Sequence, residues 1–182
     1  MSHIGGENVG ASPKTTSFLK ECMADALLKA MGEKPFAKIT VDEIARSAGV
    51  NRSTWFRNFS GKQEALSFKL ICLWERWADA HALAERWRYD LRNAETFFEF
   101  NYSIRDTLSA IYAAGLQTCV YNAFCQVMMP PKETDAAECY EARFYSYGLF
   151  GFLDEWIRRS FRETPEQLAS TFRRITSNRE KL

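Results

Sequence analysis

Residues 35–66 read PFAKITVDEIARSAGVNRSTWFRNFSGKQEAL, and this stretch decides the fold. Thr40 and Glu43 have the spacing of a capping box, which predicts the start of a short helix that ends at Gly49. Asn51 is a favourable N-cap for a second short helix. Two short helices around an Ala-Gly-Val turn are typical of a helix-turn-helix, whose second helix enters the major groove of DNA.

The residue identities in this stretch resemble the DNA-binding domain of the TetR family of bacterial regulators. The resemblance covers roughly the first third of the chain and implies an all-α DNA-binding protein. The matching residues are Lys38, Ile39, Thr40, Val41, Ile44, Ala45, Ala48, Gly49, Val50, Arg52, Thr54, Phe59, Lys62 and Leu66.

Three positions in the second helix depart from the family pattern. The family usually has Phe-Tyr where this chain has Trp55 and Phe56, and it has His where this chain has Asn58. The family Tyr commonly donates its hydroxyl to a phosphate, which Phe56 cannot do. For Trp55 and Phe59, the alternative to DNA contact is packing of the second helix onto the first helix of the chain.

The candidate DNA-binding residues divide into phosphate contacts and base contacts. Thr40 and Lys62 stand at helix N-termini, where a hydroxyl, a cation or a free N–H favours a phosphate. The resemblance implies that Arg52 and Arg57 face the groove, where an Arg can bind guanine bidentately. The full set is Thr40, Asn51, Arg52, Ser53, Thr54, Trp55, Phe56, Arg57, Asn58 and Lys62.

The chain has 182 residues and a net charge of +1, and its positive charge is concentrated near the N-terminus. Residues 14–66 carry nine Lys or Arg against six Asp or Glu, whereas residues 67–182 carry fifteen against sixteen. A mildly basic head fits a modest attraction to phosphate. No apolar run approaches membrane-spanning length and no signal peptide opens the chain, so we expect a cytoplasmic protein without a membrane partner.

The pattern along the chain predicts three parts. Residues 1–13 are rich in Gly and Ser and predict a disordered tail. Residues 14–62 would form the helix-turn-helix domain, and residues 63–182 a helical domain for effector binding and dimerisation.

Enzymatic and metal sites have no support in the sequence. The chain has no Gly-rich phosphate loop and no nucleophile motif, so we predict that it is not an enzyme and has no catalytic residues. The five cysteines include no CxxC pair, and we expect them to be small buried side chains. The two histidines find no further ligands at metal-binding spacing, so we predict neither a metal nor a cofactor.

Apolar residues recur at helical spacing throughout, with no alternating strand pattern, so we predict an all-α fold of roughly nine helices. The aromatic residues of the second domain are either core or the lining of a cavity for a small effector, because ligand pockets are mostly apolar with a few polar groups. For His81 a hydrogen-bonded core position is the alternative. The candidate pocket residues are Trp74, Trp77, His81, Phe97, Asn101, Tyr102, Tyr112, Gln117, Tyr121 and Phe124.

The last two helices carry a candidate dimer interface. Gly148 and Gly151 lie on one stripe of a long helix, which suggests the close approach of another helix. The stretch GLFGFLDEWIRRSFRETPEQLASTF, residues 148–172, resembles a TetR subgroup that includes the activator of dihydroxyacetone-kinase operons. In the family, the last two long helices build a four-helix dimer interface. The candidate residues are Phe144, Tyr147, Gly148, Gly151, Phe152, Glu155, Leu168, Phe172 and Ile175.

These features together predict a homodimeric, sequence-specific transcriptional regulator that binds a double-stranded DNA operator under the control of a small-molecule effector. The alternative is an interaction protein of the same fold that has lost DNA binding and acts by pairing with another regulator. The sequence specifies neither the effector nor the operator, nor whether binding represses or activates transcription.

Overall fold

The computed structural model describes residues 13–83, 94–128 and 135–177. Over these ranges the chain forms nine α-helices and no strand, which confirms the all-α prediction. The predicted tail lies outside the described residues, apart from Pro13, which begins the first helix. None of the described helices is long and apolar enough to cross a membrane. The helices are α1 (Pro13–Met31), α2 (Val41–Ser47), α3 (Arg52–Asn58), α4 (Lys62–Ala80), α5 (Ala94–Ser103), α6 (Arg105–Ala113), α7 (Gln117–Val127), α8 (Ala136–Arg158) and α9 (Pro165–Ser177), with a 3-10 helix at Phe36–Lys38.

Helices α1 to α3 form a head around a small apolar core. Met23 and Leu27 of α1 and Ile44 of α2 are buried in this core together with Trp55 and Phe59. The rings of Trp55 and Phe59 lie 5.2 Å apart, and burying a large apolar side chain contributes about 1.5–3 kcal/mol. One face of α3 is therefore held against the head, and its other face is left to solvent.

Helix α4 joins the head to the rest of the chain. It packs on both α1 and α7, and its Leu70 is buried. The Ser67 hydroxyl donates a hydrogen bond to the carbonyl of Cys119 on α7, at 2.9 Å. Because α4 ends at Ala80, His81 follows the helix and is exposed, so it does not take the core position that was the alternative to a pocket position.

Trp156 of α8 is central to the packing among α5, α8 and α9. Its ring is fully buried, and its Nε1 donates to the carbonyl of Glu163 at 3.0 Å. Phe98 of α5 meets it edge-on at 5.8 Å between centroids, and Phe98 in turn lies 6.4 Å from Phe172 of α9. After α8, Phe161 has a φ of 53°, and its packing on Trp156 offsets the cost of about 1–2 kcal/mol for this backbone conformation.

Candidate nucleic-acid interface and ligand cavity

The N-terminus of α2 carries the predicted capping box. The Thr40 hydroxyl accepts from the Glu43 backbone N–H at 3.3 Å, and the Glu43 carboxylate accepts from the Thr40 N–H at 2.8 Å. Lys34 also pairs with this carboxylate. The hydrogen bonds from Lys34 and Thr40 lower the pKa of Glu43 from 4.5 to about 2. Thr40 is exposed, but its hydroxyl is already engaged in the cap.

Asn51 organises the N-terminus of α3. The turn before it uses Gly49 at a φ of 69°, a left-handed conformation that glycine adopts without strain. The Asn51 Oδ1 then accepts from the backbone N–H and the hydroxyl of Thr54, both at 2.8 Å, and from the Ser53 hydroxyl at 2.7 Å. The side chain of Asn51 is exposed, but its oxygen serves the cap of α3.

Four of the predicted DNA-binding side chains share the solvent face of α3: Arg52, Ser53, Phe56 and Arg57. Their spacing of one, four and five residues keeps them on one side of a helix. The Arg52 guanidinium donates to both carboxylate oxygens of Asp42 at 3.1 Å and lies 5.3 Å from the Phe56 ring. This face combines two cations with one exposed aromatic ring.

Burial in the head opposes a side-chain contact with DNA for two of the predicted residues in α3, Trp55 and Thr54. Trp55 is fully buried, and Thr54 is 8% exposed with its hydroxyl bonded to Asn51. Asn58 is half-buried, and its Nδ2 donates to the Thr54 carbonyl at 2.7 Å. Trp55 precedes the buried Phe59 by four residues, the spacing of two apolar side chains that share a buried face. Trp55 and Thr54 hold α3 in place rather than presenting side chains to DNA, and the contact of Asn58 with DNA stays a prediction.

Lys62 makes two hydrogen bonds within the chain. Its Nζ donates to the carbonyls of Phe36 and Ile39, both at 2.7 Å, and lies 4.3 Å from the Phe36 ring. Burial lowers the pKa of its amine. Two of the three N–H groups of the amine therefore satisfy the end of the 3-10 helix and tie it to α4, which leaves one N–H for a phosphate.

A cavity of about 40 Å³ lies among α4, α5, α6, α7 and α8. Four of the predicted pocket residues line it: Trp74, Phe97, Asn101 and Phe124. The buried Asn101 donates its Nδ2 to the Phe97 carbonyl at 2.8 Å, and the Trp74 Nε1 is buried with no hydrogen-bond partner among the described residues. The lining residues that sequence reasoning missed are Leu70, Ile71, Phe100, Ile104, Leu108, Val120, Ala123, Val127 and Leu153.

Two predicted pocket residues at the end of α4 lie outside the cavity lining. Trp77 stacks on His81 with ring centroids 4.1 Å apart, and the Nδ1 of His81 is 2.8 Å from the Trp77 carbonyl. Because His81 is exposed beyond the helix end, neither a core position nor a cavity position describes it.

Four more predicted pocket residues pack elsewhere. Tyr102 stacks on Trp156 and is partly exposed, and the Tyr112 hydroxyl donates to the Asp154 carboxylate at 2.8 Å. Burial and the Asp154 carboxylate raise the pKa of Tyr112. Gln117 begins α7, and Tyr121 lies against aromatic rings of α8. Helical spacing identified the right helices for these residues but the wrong faces.

A stripe of exposed residues runs along α8. Phe144 and Tyr147 have more than half of their surface exposed, and a Cβ added at Gly148 or Gly151 would meet no atom within 4 Å. Glu155, also predicted, continues the stripe and is exposed. Tyr140 extends it by one turn and was missed from the sequence.

The structure removes three predicted residues from the candidate dimer surface. Phe152 is half-buried with its ring 5.0 Å from Phe172 of α9, and both Phe172 and Leu168 are buried within the chain. Of the three residues of α9 predicted for the dimer surface, Ile175 is the one that is exposed, with 42% of its surface accessible.

Two family models match separate parts of the chain. Residues 24–66 match a family model described as "Bacterial regulatory proteins, tetR family", and residues 95–178 match one described as "Transcriptional regulator C-terminal region". No curated protein matches the chain. A similar solved structure is the crystal structure of a TetR transcriptional regulator from Rhodococcus sp. RHA1, with 19% identity and a TM-score of 0.49, over 86% of this chain and 93% of that chain.

Proposed function

We propose that the chain is a regulator of the TetR family, and that it is a homodimeric, sequence-specific DNA-binding protein controlled by a small-molecule effector; the two family models matched by residues 24–66 and 95–178 support this proposal. In this proposal α3 enters the major groove, a second copy of the chain binds along α8, and the effector occupies the cavity beside α4. Its site of action is DNA, so the expected compartment is the cytoplasm.

The solvent face of α3 is the observation that carries the proposal. Arg52, Ser53, Phe56 and Arg57 are exposed, while Trp55 on the opposite face is fully buried in the head. A helix held rigidly by one face can present the other to base edges without losing much further conformational freedom. In B-DNA the two arginines can bind guanine, and the ring of Phe56 can contact a thymine methyl group.

The Asp42 carboxylate supports a defined orientation for Arg52. Both of its oxygens accept from the same guanidinium nitrogen of Arg52. A guanidinium held in this way keeps other N–H groups free for a base, because Arg carries five donors. Arg57 is steadied in turn by a bond to the Thr54 hydroxyl at 3.1 Å.

A second copy of the chain supplies the second recognition helix. Two half-sites on B-DNA lie about 34–36 Å apart, so a symmetric dimer matches a palindromic operator. The exposed stripe of α8, from Tyr140 to Gly151, offers the aromatic rings of Tyr140, Phe144 and Tyr147 beside the open surface at Gly148 and Gly151. An isologous contact would cover this apolar surface on both copies at once.

Effector control follows from the position of α4. Leu70, Ile71 and Trp74 of α4 line the cavity, and Lys62 at the start of the same helix anchors the 3-10 helix of the head. A ligand that fits one setting of α4 better than another shifts the population of head orientations and so changes DNA affinity.

The resemblance to the subgroup of the dihydroxyacetone-kinase operon activator remains part of the proposal for residues 148–172. Within this proposal it places the dimer contact on α8 and α9. It leaves repression and activation as equal alternatives.

The rival function is an interaction protein that has lost DNA binding. Two observations favour it: Phe56 has no hydroxyl for a phosphate, and the Lys62 amine is engaged by two carbonyls. The experiment is a gel shift with the DNA upstream of the protein's own gene and with an unrelated duplex, over a range of salt. The regulator should prefer its own site by about a thousandfold or more and weaken steeply with salt. Equal, weak binding to both duplexes would support the rival.

A further inference from the structure

We infer that Asp42 of α2 sets the base specificity of Arg52, and that the operator carries a guanine at the position that Arg52 faces. Asp42 is a positioning residue in this inference, because it acts on DNA through the guanidinium that it holds. The inference rests on the proposed function, and it adds the base that the site selects and a residue outside α3 that controls the selection.

The guanidinium of Arg52 is held on one edge and on one face. Its Nη1 donates to both carboxylate oxygens of Asp42 at 3.1 Å. The ring of Phe56, one helical turn further along α3, lies 5.3 Å from the centre of the guanidinium. A charge-assisted hydrogen bond and a cation–π contact therefore act together to limit the orientations of an otherwise exposed side chain.

The remaining edge of Arg52 matches guanine. An arginine has five N–H donors, and Asp42 engages the nitrogen that carries two of them. The Nε–H and one N–H of Nη2 lie on the opposite edge of the planar group and point in the same direction. In the major groove guanine presents two neighbouring acceptors, O6 and N7, whereas each of the other three bases offers this edge at most one.

The ion pair should matter more for recognition than for folding. The side chains of Arg52 and Asp42 are 64% and 52% exposed, and an ion pair this exposed is screened by water in the free chain. A base pair seated against α3 would exclude much of that water. The attraction between the two charges would then strengthen in the complex, at the moment when the orientation of Arg52 decides which base fits.

Asp42 should raise selectivity while it lowers the affinity for DNA in general. Its carboxylate is exposed near the surface that meets phosphates in the proposal, and like charges repel. Without Asp42, Arg52 could turn to a phosphate whenever the base is not guanine. With Asp42 in place, a wrong base leaves N–H groups of Arg52 unpaired in the groove, which disfavours that sequence.

The test is a selection of bound sequences from a pool of randomised DNA duplexes, which requires no known operator. The parent should select a guanine in each half-site, and Arg52→Ala should lose this preference. Asp42→Ala should lower the preference at the same position by about threefold or more, which is part of the discrimination that one Arg–guanine pair provides. It should also bind an unrelated duplex about twofold more tightly, because it removes one negative charge.

Glu33→Ala is the matched control, because Glu33 is exposed in the turn after α1 and loses the same charge by the same substitution. It should bind the unrelated duplex more tightly to a similar degree and keep the base preferences of the parent. Asp42→Glu retains a carboxylate and should keep most of the guanine preference. Circular dichroism verifies the fold of each variant, and Asp42→Asn, with a smaller loss at the same position, replaces Asp42→Ala if the latter does not fold.

A double variant separates positioning from a structural role. In an Arg52→Ala background, Asp42→Ala should cause no further change in base preference, because Asp42 acts through Arg52. A further loss in that background would mean that Asp42 shapes the head in another way, and it would overturn the inference. A sharper guanine preference in Asp42→Ala alone would also overturn it, because Asp42 would then hold Arg52 away from the base.

The inference and the proposed function fail in different ways. A parent that selects no sequence from the pool would overturn the proposed function, and the inference would fail with it. A parent that selects a clear sequence would support the proposed function. If Arg52→Ala or Asp42→Ala then leaves every guanine preference unchanged, the inference alone is overturned.

Discussion

The amine of Lys69 on α4 lies 2.7 Å from a carboxylate oxygen of Glu21 on α1, and only 6% of Lys69 is exposed. Asp25 pairs with the same amine at 2.6 Å, and Arg76 pairs with Glu21. The ion cluster joins α1 to α4 immediately beside Leu70, which lines the cavity. Head and cavity are therefore connected through one helix.

The first prediction is that Glu21→Gln destabilises the chain more than Lys69→Met does. Glu21→Gln leaves a buried cation with one partner fewer, at an expected cost of about 1–2 kcal/mol. Lys69→Met removes the cation, and both carboxylates still reach solvent, so its cost should stay within about 1 kcal/mol. Urea unfolding followed by circular dichroism measures both.

Asp25→Asn is the control for the first prediction. Asp25 is 55% exposed, so its loss should cost less than that of Glu21. The prediction is wrong if Lys69→Met is the least stable of the three variants. In that case the ion pairs of Lys69 contribute more free energy to the α1–α4 contact than the burial of its charge costs.

The second prediction is that Arg52→Ala and Arg57→Ala weaken operator binding without loss of fold. Both side chains are exposed on α3, where substitutions usually change stability little. Losing a base contact should cost about 1–3 kcal/mol of binding free energy and relax specificity at one position. Gel shifts against operator variants measure both effects.

Arg46→Ala is the matched control for the second prediction. Arg46 is exposed on α2, so this variant removes one positive charge from the head without changing α3. It should weaken all DNA sequences alike and modestly. If all three variants behave in this way, α3 does not read bases.

The third prediction concerns Phe56, which is 54% exposed. Phe56→Tyr places a hydroxyl in solvent, so the free energy of unfolding should stay near that of the parent. If Phe56 lies at the DNA backbone, the new hydroxyl should tighten operator binding by about 0.5–1.5 kcal/mol. Unchanged affinity in fluorescence anisotropy would place Phe56 away from any phosphate.

Local signals predicted the helix ends well because their partners are three residues apart. Thr40 and Glu43 form the predicted capping box, and the structure shows the same reciprocal bonds between Thr164 and Gln167 at the start of α9. Long-range contacts are what these local signals missed in the DNA-binding set. The amine of Lys62 bonds to carbonyls 23 and 26 residues earlier, and no spacing within α4 indicates this.

Helical periodicity had a similar limit in the cavity. It identifies an apolar face but not the neighbour against which that face packs. Trp74 and Trp77 both belong to the apolar side of α4, yet only Trp74 lines the cavity. In the same way, Phe172 faces the interior of its own chain instead of a second copy.

The fourth prediction is a pH dependence from Glu43. Its pKa is about 2 in the folded chain and about 4.3 in an unfolded one. A carboxyl with a lowered pKa stabilises the fold above its unfolded value, and this contribution is lost as the pH falls through the folded value. The stability difference between the parent and Glu43→Gln should therefore shrink from about pH 5 to about pH 2.5.

Glu43→Gln suits this measurement because Gln can still accept from the Thr40 N–H, as Gln167 does from Thr164. The other carboxyl groups titrate in both proteins. Their effect therefore cancels when one urea midpoint is subtracted from the other. A difference that stays constant over this range would mean that the pKa of Glu43 is not lowered by folding.

The last prediction is that Gly148→Leu separates the two copies of the proposed dimer. A Cβ at Gly148 meets no atom of its own chain, so a leucine there should leave the fold and helical content of the single chain near those of the parent. In a symmetric contact the added side chain fills the notch on both copies and pushes the two α8 helices apart. Light scattering should show a shift from dimer toward monomer, and tight operator binding should be lost.

Ala110→Leu is the matched control, because it adds the same side chain at an exposed helical position on α6. It should remain dimeric and bind the operator as the parent does. A Gly148→Leu protein with dimer mass and normal operator affinity would move the dimer contact away from α8. A monomeric Gly148→Leu protein that binds its operator tightly would separate dimerisation from DNA recognition, because a single recognition helix would then suffice.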